Sequence, residues 1–192
     1  MKKLFLLLWV LATSLAARDL EWHDGSVVLA SREVLTGKIT MASGFDLVLL
    51  KTKDSCLVLP AHKVLSFYFY DADENINRKF VSLKENKEAR APRHFYEVVL
   101  YGKINVVRRP RFTSSRCTES DAQDYVYFVQ RENELMKLGQ FKKEMYPSLV
   151  SSAEMLSEFV SENKLDPADA AQAIRIIEYY NHTQVAGALA RH

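Results

Sequence analysis

The sequence has few cysteines and no long apolar segment beyond its first seventeen residues. Only two cysteines occur in 192 residues, which excludes a scaffold held together by several disulfides. No later apolar stretch approaches the ~20 residues that a membrane-spanning helix needs. Since 48% of the residues are hydrophobic, we expect a soluble domain with a core of its own.

Catalytic and metal-binding motifs are also missing. The sequence contains no nucleophile elbow, phosphate-binding loop, paired zinc cysteines or His-Glu-x-x-His arrangement. Its five histidines are scattered, and no two have the spacing of metal ligands. The sequence therefore predicts no enzyme, no metal site and no cofactor.

The amino terminus has the pattern of an export signal. Two lysines precede an apolar run over residues 4–12, and small side chains follow at Ser14 and Ala16. A basic start, an apolar core and a small-residue cleavage site are typical of a secretory signal peptide. We predict a signal peptide over residues 1–16 and a mature protein in the periplasm or outside the cell.

Cleavage would remove the net charge. The whole chain has 26 basic and 24 acidic residues, and loss of Lys2 and Lys3 leaves 24 of each. A balanced surface has no long-range field to attract nucleic acid or an anionic membrane. We therefore predict no nucleic-acid partner and no integral membrane segment after cleavage, and we expect an envelope protein or glycan as the partner.

Short runs rich in Val, Leu, Phe and Tyr alternate with turn signals in the first half of the mature chain. The runs cover residues 26–30, 35–41, 46–51, 56–59 and 63–70. Five closely spaced strands predict a meander that curls into a small barrel. A period-2 pattern over 95–107 predicts one long strand, with a bulge or bend at Gly102. Further strands are expected over 124–130 and 134–138.

The hydrophobic period becomes helical after residue 140. One stripe predicts a helix that ends near residue 163; it holds Leu149, Ala153, Leu156 and Val160. Asp166 and Pro167 then supply an N-cap and a first helical residue for a final helix that reaches Asn181. Its predicted buried face holds Ala170, Ala173, Ile174, Ile177 and Tyr180.

The predicted fold class is α+β, with an N-terminal antiparallel small barrel or curled sheet, further strands and two to three C-terminal helices. We predict a β-barrel-like unit over 17–85 and a β-sheet with C-terminal helices over 94–181. The charged stretch 86–93 would link these units, and residues 182–192 would form a flexible tail.

Cys56 and Cys117 are the one candidate disulfide pair. Export favours oxidation, and both cysteines lie near polar, turn-like residues. Closing so long a loop would stabilise the fold by roughly 4 kcal/mol. The alternative is a pair of free thiols, one of them buried.

Arginines cluster after the predicted long strand, at Arg108, Arg109 and Arg111. Guanidinium groups bind carboxylates and phosphates, so this cluster is the candidate contact for an acidic glycan, a phospholipid headgroup or a partner's acidic patch. The alternative is a solvated strand end whose charge is neutralised by nearby acids. Those acids would be Glu119, Asp121 and Asp124.

Two further patterns have competing interpretations. Residues 71–77 alternate oxygen-bearing side chains as in the first half of a calcium loop, but Ile76 replaces the turn glycine and Ser82 the final glutamate, which favours a polar turn. Aromatic residues recur over 67–70 and 125–128. Strand alternation sends some of them outward, where an exposed tyrosine face suits carbohydrate or protein contact; the alternative is a sheet covered by helices.

Four segments resemble a family of short exported bacterial proteins with no known activity. They are Gly-Ser-Val-Val-Leu at 25–29, Leu-Thr-Gly-Lys-Ile at 35–39, Val-Leu-Ser-Phe at 64–67 and Ile-Ile-Glu-Tyr-Tyr-Asn at 176–181. The family is similar in combining a signal peptide, a β-rich start and a helical end with Tyr-Tyr-Asn. The resemblance implies no site residues. The glycine-spaced strands also resemble an SH3 or Sm barrel, which by itself implies no RNA binding.

These features predict an exported, non-catalytic binding or structural module of the bacterial cell envelope, which contacts its ligand through the arginine cluster or an aromatic face. The alternative is a secreted or periplasmic hydrolase whose site residues lie far apart in the sequence. A third hypothesis is a subunit whose strand edges pair with an envelope partner.

Overall fold

In the part of the chain that the structure describes, a single open antiparallel sheet of ten strands is followed by four α-helices. The computed structural model describes residues 21–189 except 43, 45, 87, 89, 111–124 and 133. The predicted signal peptide, Arg111 and Cys117 lie outside the described residues. The strands are β1 (His23–Leu29), β2 (Val34–Ala42), β3 (Leu47–Lys51), β4 (Cys56–Pro60), β5 (Val64–Asp71), β6 (Ile76–Lys84), β7 (Arg93–Leu100), β8 (Asn105–Pro110), β9 (Tyr125–Arg131) and β10 (Glu134–Lys137).

The strand order is β10-β9-β8-β7-β6-β5-β1-β2-β3-β4. The order is not sequential because a 3-10 turn at Ala61–Lys63 carries the chain from β4 back to pair with β1. The α+β class and the five predicted N-terminal strands are confirmed. No strand pairing closes the sheet within the described part of the chain, so the small barrel is not confirmed.

The predicted single strand over 95–107 is wrong, because this segment is the hairpin of β7 and β8. The ladder shifts register between Val98 and Leu100, and Gly102 donates its N–H to Asn105 Oδ1 at 3.0 Å in the turn. The apolar alternation continues across the turn, so it hides the reversal. A side chain at Gly102 would come within 3 Å of the Asn181 amide, which explains a glycine here.

β6 has no counterpart among the predicted strands. Its inward-facing positions include the polar residues Arg78 and Ser82, which obscure the alternation of apolar side chains. Both find partners inside the fold: Arg78 pairs with acids, and Ser82 Oγ donates to the Ala61 carbonyl at 2.6 Å. The charged stretch 86–93 lies at the β6–β7 hairpin, since Lys84 pairs with Arg93. The division into two units stays a prediction.

The helical half differs from the predicted helices at its boundaries. The helices are α1 (Phe141–Glu144), α2 (Tyr146–Ser152), α3 (Glu154–Glu162) and α4 (Ala170–Leu189). The predicted helix with the stripe of Leu149 is broken at Ala153, whose backbone is extended at φ −150° and ψ 93°. None of the described helices combines the length and apolar character that crossing a membrane requires.

The start of α4 also differs from the prediction. Asp169 Oδ1 accepts a hydrogen bond from the Gln172 N–H at 2.9 Å, so Asp169 caps the helix. Asp166 instead accepts the Ala168 N–H at 3.0 Å in a turn before it. The helix continues past the predicted end at Asn181 to Leu189.

Two hydrophobic clusters cover one face of the sheet. The first lies inside the curl of the N-terminal strands, where the ring of Phe67 stacks on Phe80 at 4.7 Å and meets Phe95 edge-on at 5.1 Å. The second lies between the C-terminal strands and the helices, around Val129 and Ile177. Both clusters share this face, because one row of residues that stand opposite one another across neighbouring strands runs from the first cluster to the second. That row contains Val27, Phe67, Phe80, Glu97, Arg108 and Tyr127.

Candidate functional site

A chain of ion pairs lies between the two hydrophobic clusters. Glu97 of β7 is only 8% exposed, and its two carboxylate oxygens accept hydrogen bonds from Arg78 at 2.7 Å and from Arg108 at 2.6 Å. Arg78 also donates to Asp71 at 2.7 Å. We call Asp71, Arg78, Glu97 and Arg108 the Glu97 network. Each of its arginines is therefore bound to at least one carboxylate of the same chain.

The residues around Arg108 favour its positively charged form. Its guanidinium lies 4.1 Å from the centre of the Tyr125 ring, a cation–π distance. Burial lowers the pKa of Arg108, but its hydrogen bonds to Glu97 and Tyr127 and the negative charge of Glu97 raise it, and the net result is a pKa above the usual value. This arginine acts as a permanent cation that balances Glu97.

Arg109 points to the opposite face of the sheet, as strand alternation requires. Its Nη2 lies 3.9 Å from Asp46 Oδ2, and its guanidinium lies 5.6 Å from the ring of Tyr96. Asp46 Oδ2 is also 2.7 Å from His94 Nδ1, and its Oδ1 accepts the Phe95 N–H at 3.0 Å. We call Asp46, His94 and Arg109 the Asp46 cluster.

The predicted arginine contact is thus distributed over two faces. Arg108 and Arg109 are partly buried and paired with Glu97 and Asp46, whereas Arg111 lies outside the described residues. The acids proposed as neutralising partners also lie outside them. Sequence reasoning missed Glu97 and Asp46 as partners, because only the register of β7 with β8 and the curl of the sheet place them there.

Residues 71–77 span the turn of the β5–β6 hairpin, with Asp71 as the last residue of β5 and Ile76 as the first of β6. Asp71 Oδ2 accepts from Arg78 and Oδ1 from the Glu74 N–H at 3.2 Å, and Asn75 has a left-handed φ of 55°. The hydrogen bond from Arg78, and then that from Glu74, lowers the pKa of Asp71 below its usual value. Within the described residues, no three His, Cys, Asp or Glu side chains come together as metal ligands would.

Cys56 is exposed at the start of β4. Its predicted partner, Cys117, lies outside the described residues. The disulfide stays a prediction.

An exposed aromatic surface lies on the outer face of the sheet. Tyr68 is 53% exposed and Tyr70 46% exposed on the same face of β5, and Tyr101 in the β7–β8 turn is 76% exposed. Lys79 stands opposite Tyr68 in the ladder, and its Nζ lies 5.1 Å from the centre of the Tyr101 ring. These contacts make the four residues contiguous. We call Tyr68, Tyr70, Lys79 and Tyr101 the tyrosine surface.

A groove of about 460 Å³ opens between the end of β6, β10 and the first helices. Its charged lining residues are of both signs, and Val129, Leu135 and Met136 contribute apolar side chains. The charged residues are Lys84, Glu85, Arg131, Glu134 and Glu144. Because β6 and β10 are separated by three strands in the sheet, this groove shows how strongly the sheet curls.

Comparison of the chain with protein-family models, with curated proteins and with solved structures found no significant match.

Proposed function

We propose that this chain is an exported, non-catalytic binding module of the bacterial cell envelope, and that it contacts a glycan or protein through the tyrosine surface. The observation that carries the proposal is the exposure of three neighbouring tyrosine rings, from 46% to 76%, around one lysine. Exposure of apolar rings to water is energetically unfavourable, and contact with a ligand removes them from water.

The tyrosine surface is a better candidate than the arginine cluster. Arg108 and Arg109 already bind carboxylates of their own chain, so an anionic ligand would have to displace Glu97 or Asp46. Displacement would leave a partly buried carboxylate without its counter-ion, which is costly. The three tyrosine rings face solvent, and their contact with a ligand breaks no ion pair.

Tyrosine rings suit both ligand classes for a physical reason. Each ring presents a large apolar face and a hydroxyl, and it loses little conformational entropy on binding. Sugar rings have apolar C–H faces that stack on such rings, and protein partners often concentrate binding energy on tyrosine. Lys79 adds one positive charge, which favours a ligand with acidic groups.

A small N-terminal barrel is the structural part of this proposal. Three features support it: β1 lies between β2 and β5, a 3-10 turn joins β4 to β5, and Asp46, just before β3, bonds to β7 across four intervening strands. Such a curl would hold the outer face of β5 and β6 convex, with the tyrosine rings at its surface.

The test is a pull-down of the mature protein from the envelope of its own cell, with captured proteins and glycans identified by mass spectrometry. We expect a stoichiometric ligand that the Tyr68→Ser/Tyr101→Ser variant loses. Two interface tyrosines are together worth about 2 to 4 kcal/mol, so capture should fall by roughly 30-fold or more.

The matched control is the Val34→Ser/Met155→Ser variant, which removes two apolar side chains of similar exposure, 59% and 63%, away from the tyrosine surface. It should retain the ligand. Equal loss in both variants, or recovery of the protein alone, contradicts the proposal, and the latter result favours the hydrolase alternative.

A further inference from the structure

We infer that β4 is a dimerisation edge, and that two copies of this chain join by antiparallel pairing of their β4 strands about a twofold axis at Val58. The inference is independent of the tyrosine surface, which lies on other strands.

β4 is an end strand of the sheet. It pairs with β3 alone, and among the described residues no strand lies along its other side. Its outward side chains include Cys56 and Val58, and Val58 is 58% exposed. An open strand edge with apolar side chains is a template for pairing with another chain.

The register of the β3–β4 hairpin shows which backbone groups are free to pair. The Thr52 N–H donates to the Ser55 carbonyl at 2.8 Å at one end, and the Ala61 N–H donates to the Asp46 carbonyl at 3.1 Å at the other. Bonded pairs alternate along an antiparallel ladder. Leu57 and Leu59 therefore bond to β3, while the N–H and C=O groups of Cys56 and Val58 point away from the sheet.

A twofold axis at Val58 would pair these backbone groups between the two copies. Val58 of each copy exchanges two hydrogen bonds with Val58 of the other, and each Cys56 N–H reaches the Pro60 carbonyl of the second copy, for about four bonds in total. Pro60 has no N–H, but an N–H at this position would point away from β3. The β3–β4 ladder therefore loses no hydrogen bond. Directly opposed β-branched side chains also stabilise a strand pair.

A second copy fits this edge better than a charged partner does. β4 contains no charged residue, so it offers no electrostatic selection for another protein. Antiparallel pairing puts the two hairpin tips, each with Lys53 and Asp54, at opposite ends of the interface. The other end strand, β10, begins with Glu134 and ends with Lys137, as protected edges do.

The decisive test is disulfide trapping in the full chain with Cys56→Ser and Cys117→Ser. In the predicted pair, the Val58 Cα atoms would be about 5.5 Å apart, within the range of a disulfide. We expect Val58→Cys to give a covalent dimer under mild oxidation on a non-reducing gel. Val34→Cys is the matched control, since Val34 is 59% exposed on β2, and it should stay monomeric.

Sedimentation of the unmodified protein provides the second arm. A concentration-dependent dimer that Val58→Lys dissociates, with an unchanged far-UV circular dichroism spectrum, supports the inference. A monomer at every concentration, a dimer unaffected by Val58→Lys, or equal trapping of Val58→Cys and Val34→Cys overturns it.

Discussion

At the residue scale, Glu97 holds the Glu97 network together, because it binds both of the arginines in it. Its carboxylate is buried and binds two arginines, and Arg78 connects it to Asp71. A buried charge of this kind is tolerable only while its partners are in place, because each unpaired ion has a large desolvation cost. The Glu97 network therefore stabilises the junction between the two hydrophobic clusters only as a complete unit.

Replacement of Glu97 by glutamine tests this dependence. Glu97→Gln keeps the shape but leaves Arg78 and Arg108 without their shared counter-ion, so we expect a loss of about 3 kcal/mol in the free energy of unfolding. Urea denaturation measures it. Glu33→Gln, at an exposed position, should change the stability by less than about 0.5 kcal/mol. Equal stability of the two variants would contradict the role of Glu97.

The same network complicates any test of the arginine cluster. Replacing Arg108 and Arg109 by glutamate would put acids beside Glu97 and Asp46. Loss of ligand binding in such a variant would follow from loss of the fold, so it would not locate a ligand.

At the scale of elements, a buried asparagine of α4 bonds to the β7–β8 turn, beside the apolar side chains that pack this helix on the sheet. Asn181 Oδ1 accepts the Ile104 N–H at 3.0 Å, and its Nδ2 donates to the Ile104 carbonyl at 2.8 Å. Asn181 thus satisfies both backbone groups of a buried residue in the β7–β8 turn. This pairing explains why an asparagine occupies the apolar face of the helix.

Truncation of Asn181 should detach the turn from the helix. Asn181→Ala leaves a buried N–H and a buried C=O without partners, and we expect a loss of about 2 kcal/mol in unfolding free energy. The neighbouring contact supplies the control: Gln184 accepts from Lys103 at 2.9 Å at an exposed site, so Gln184→Ala should be nearly neutral. Thermal denaturation of both variants measures the difference, and the reverse order would refute this account.

Elements were predictable where local patterning agreed with the tertiary environment. β1 to β5 are short runs rich in Val, Leu, Phe and Tyr between turn signals, and the sequence predicts them. β6 was not predicted, because Arg78 and Ser82 face inward and interrupt its apolar pattern. These polar side chains can be buried only because acceptors on other elements bind them. Ala153 ends a helix through its extended backbone, and Asp169 begins the last helix as its cap. The spacing of hydrophobic residues reveals neither boundary.

At the scale of the whole molecule, the Asp46 cluster connects parts of the sheet that are not neighbours. Asp46 precedes β3, whereas Phe95 and His94 belong to β7, and β2, β1, β5 and β6 lie between those strands. Asp46 also has a left-handed φ of 50°, a conformation that Asp and Asn tolerate better than most residues. One side chain thus helps to maintain the curl.

Two substitutions at this position separate its charge from its backbone conformation. Asp46→Ala removes the acceptor of the Phe95 N–H and adds strain, so we expect a loss of about 2 kcal/mol or more and faster amide exchange in β3 and β7. Asp46→Asn keeps an acceptor and the left-handed backbone, and it should lose less. Hydrogen exchange by NMR checks both; unchanged exchange in Asp46→Ala would show that the curl does not depend on this contact.

The sequence by itself determined the class of fold, most strands and the change to helices, because these depend on the period of apolar residues over a few neighbours. It also pointed to Arg108, Arg109 and the aromatic run over 67–70, but it left open whether these rings are exposed or covered by helices. Only the tertiary structure decided their roles: ladder register brought Arg108 to Glu97, curl brought Arg109 to Asp46, and β5 pairing with β6 placed Lys79 opposite Tyr68. Such contacts join residues distant in the chain, and local periodicity contains no information about them.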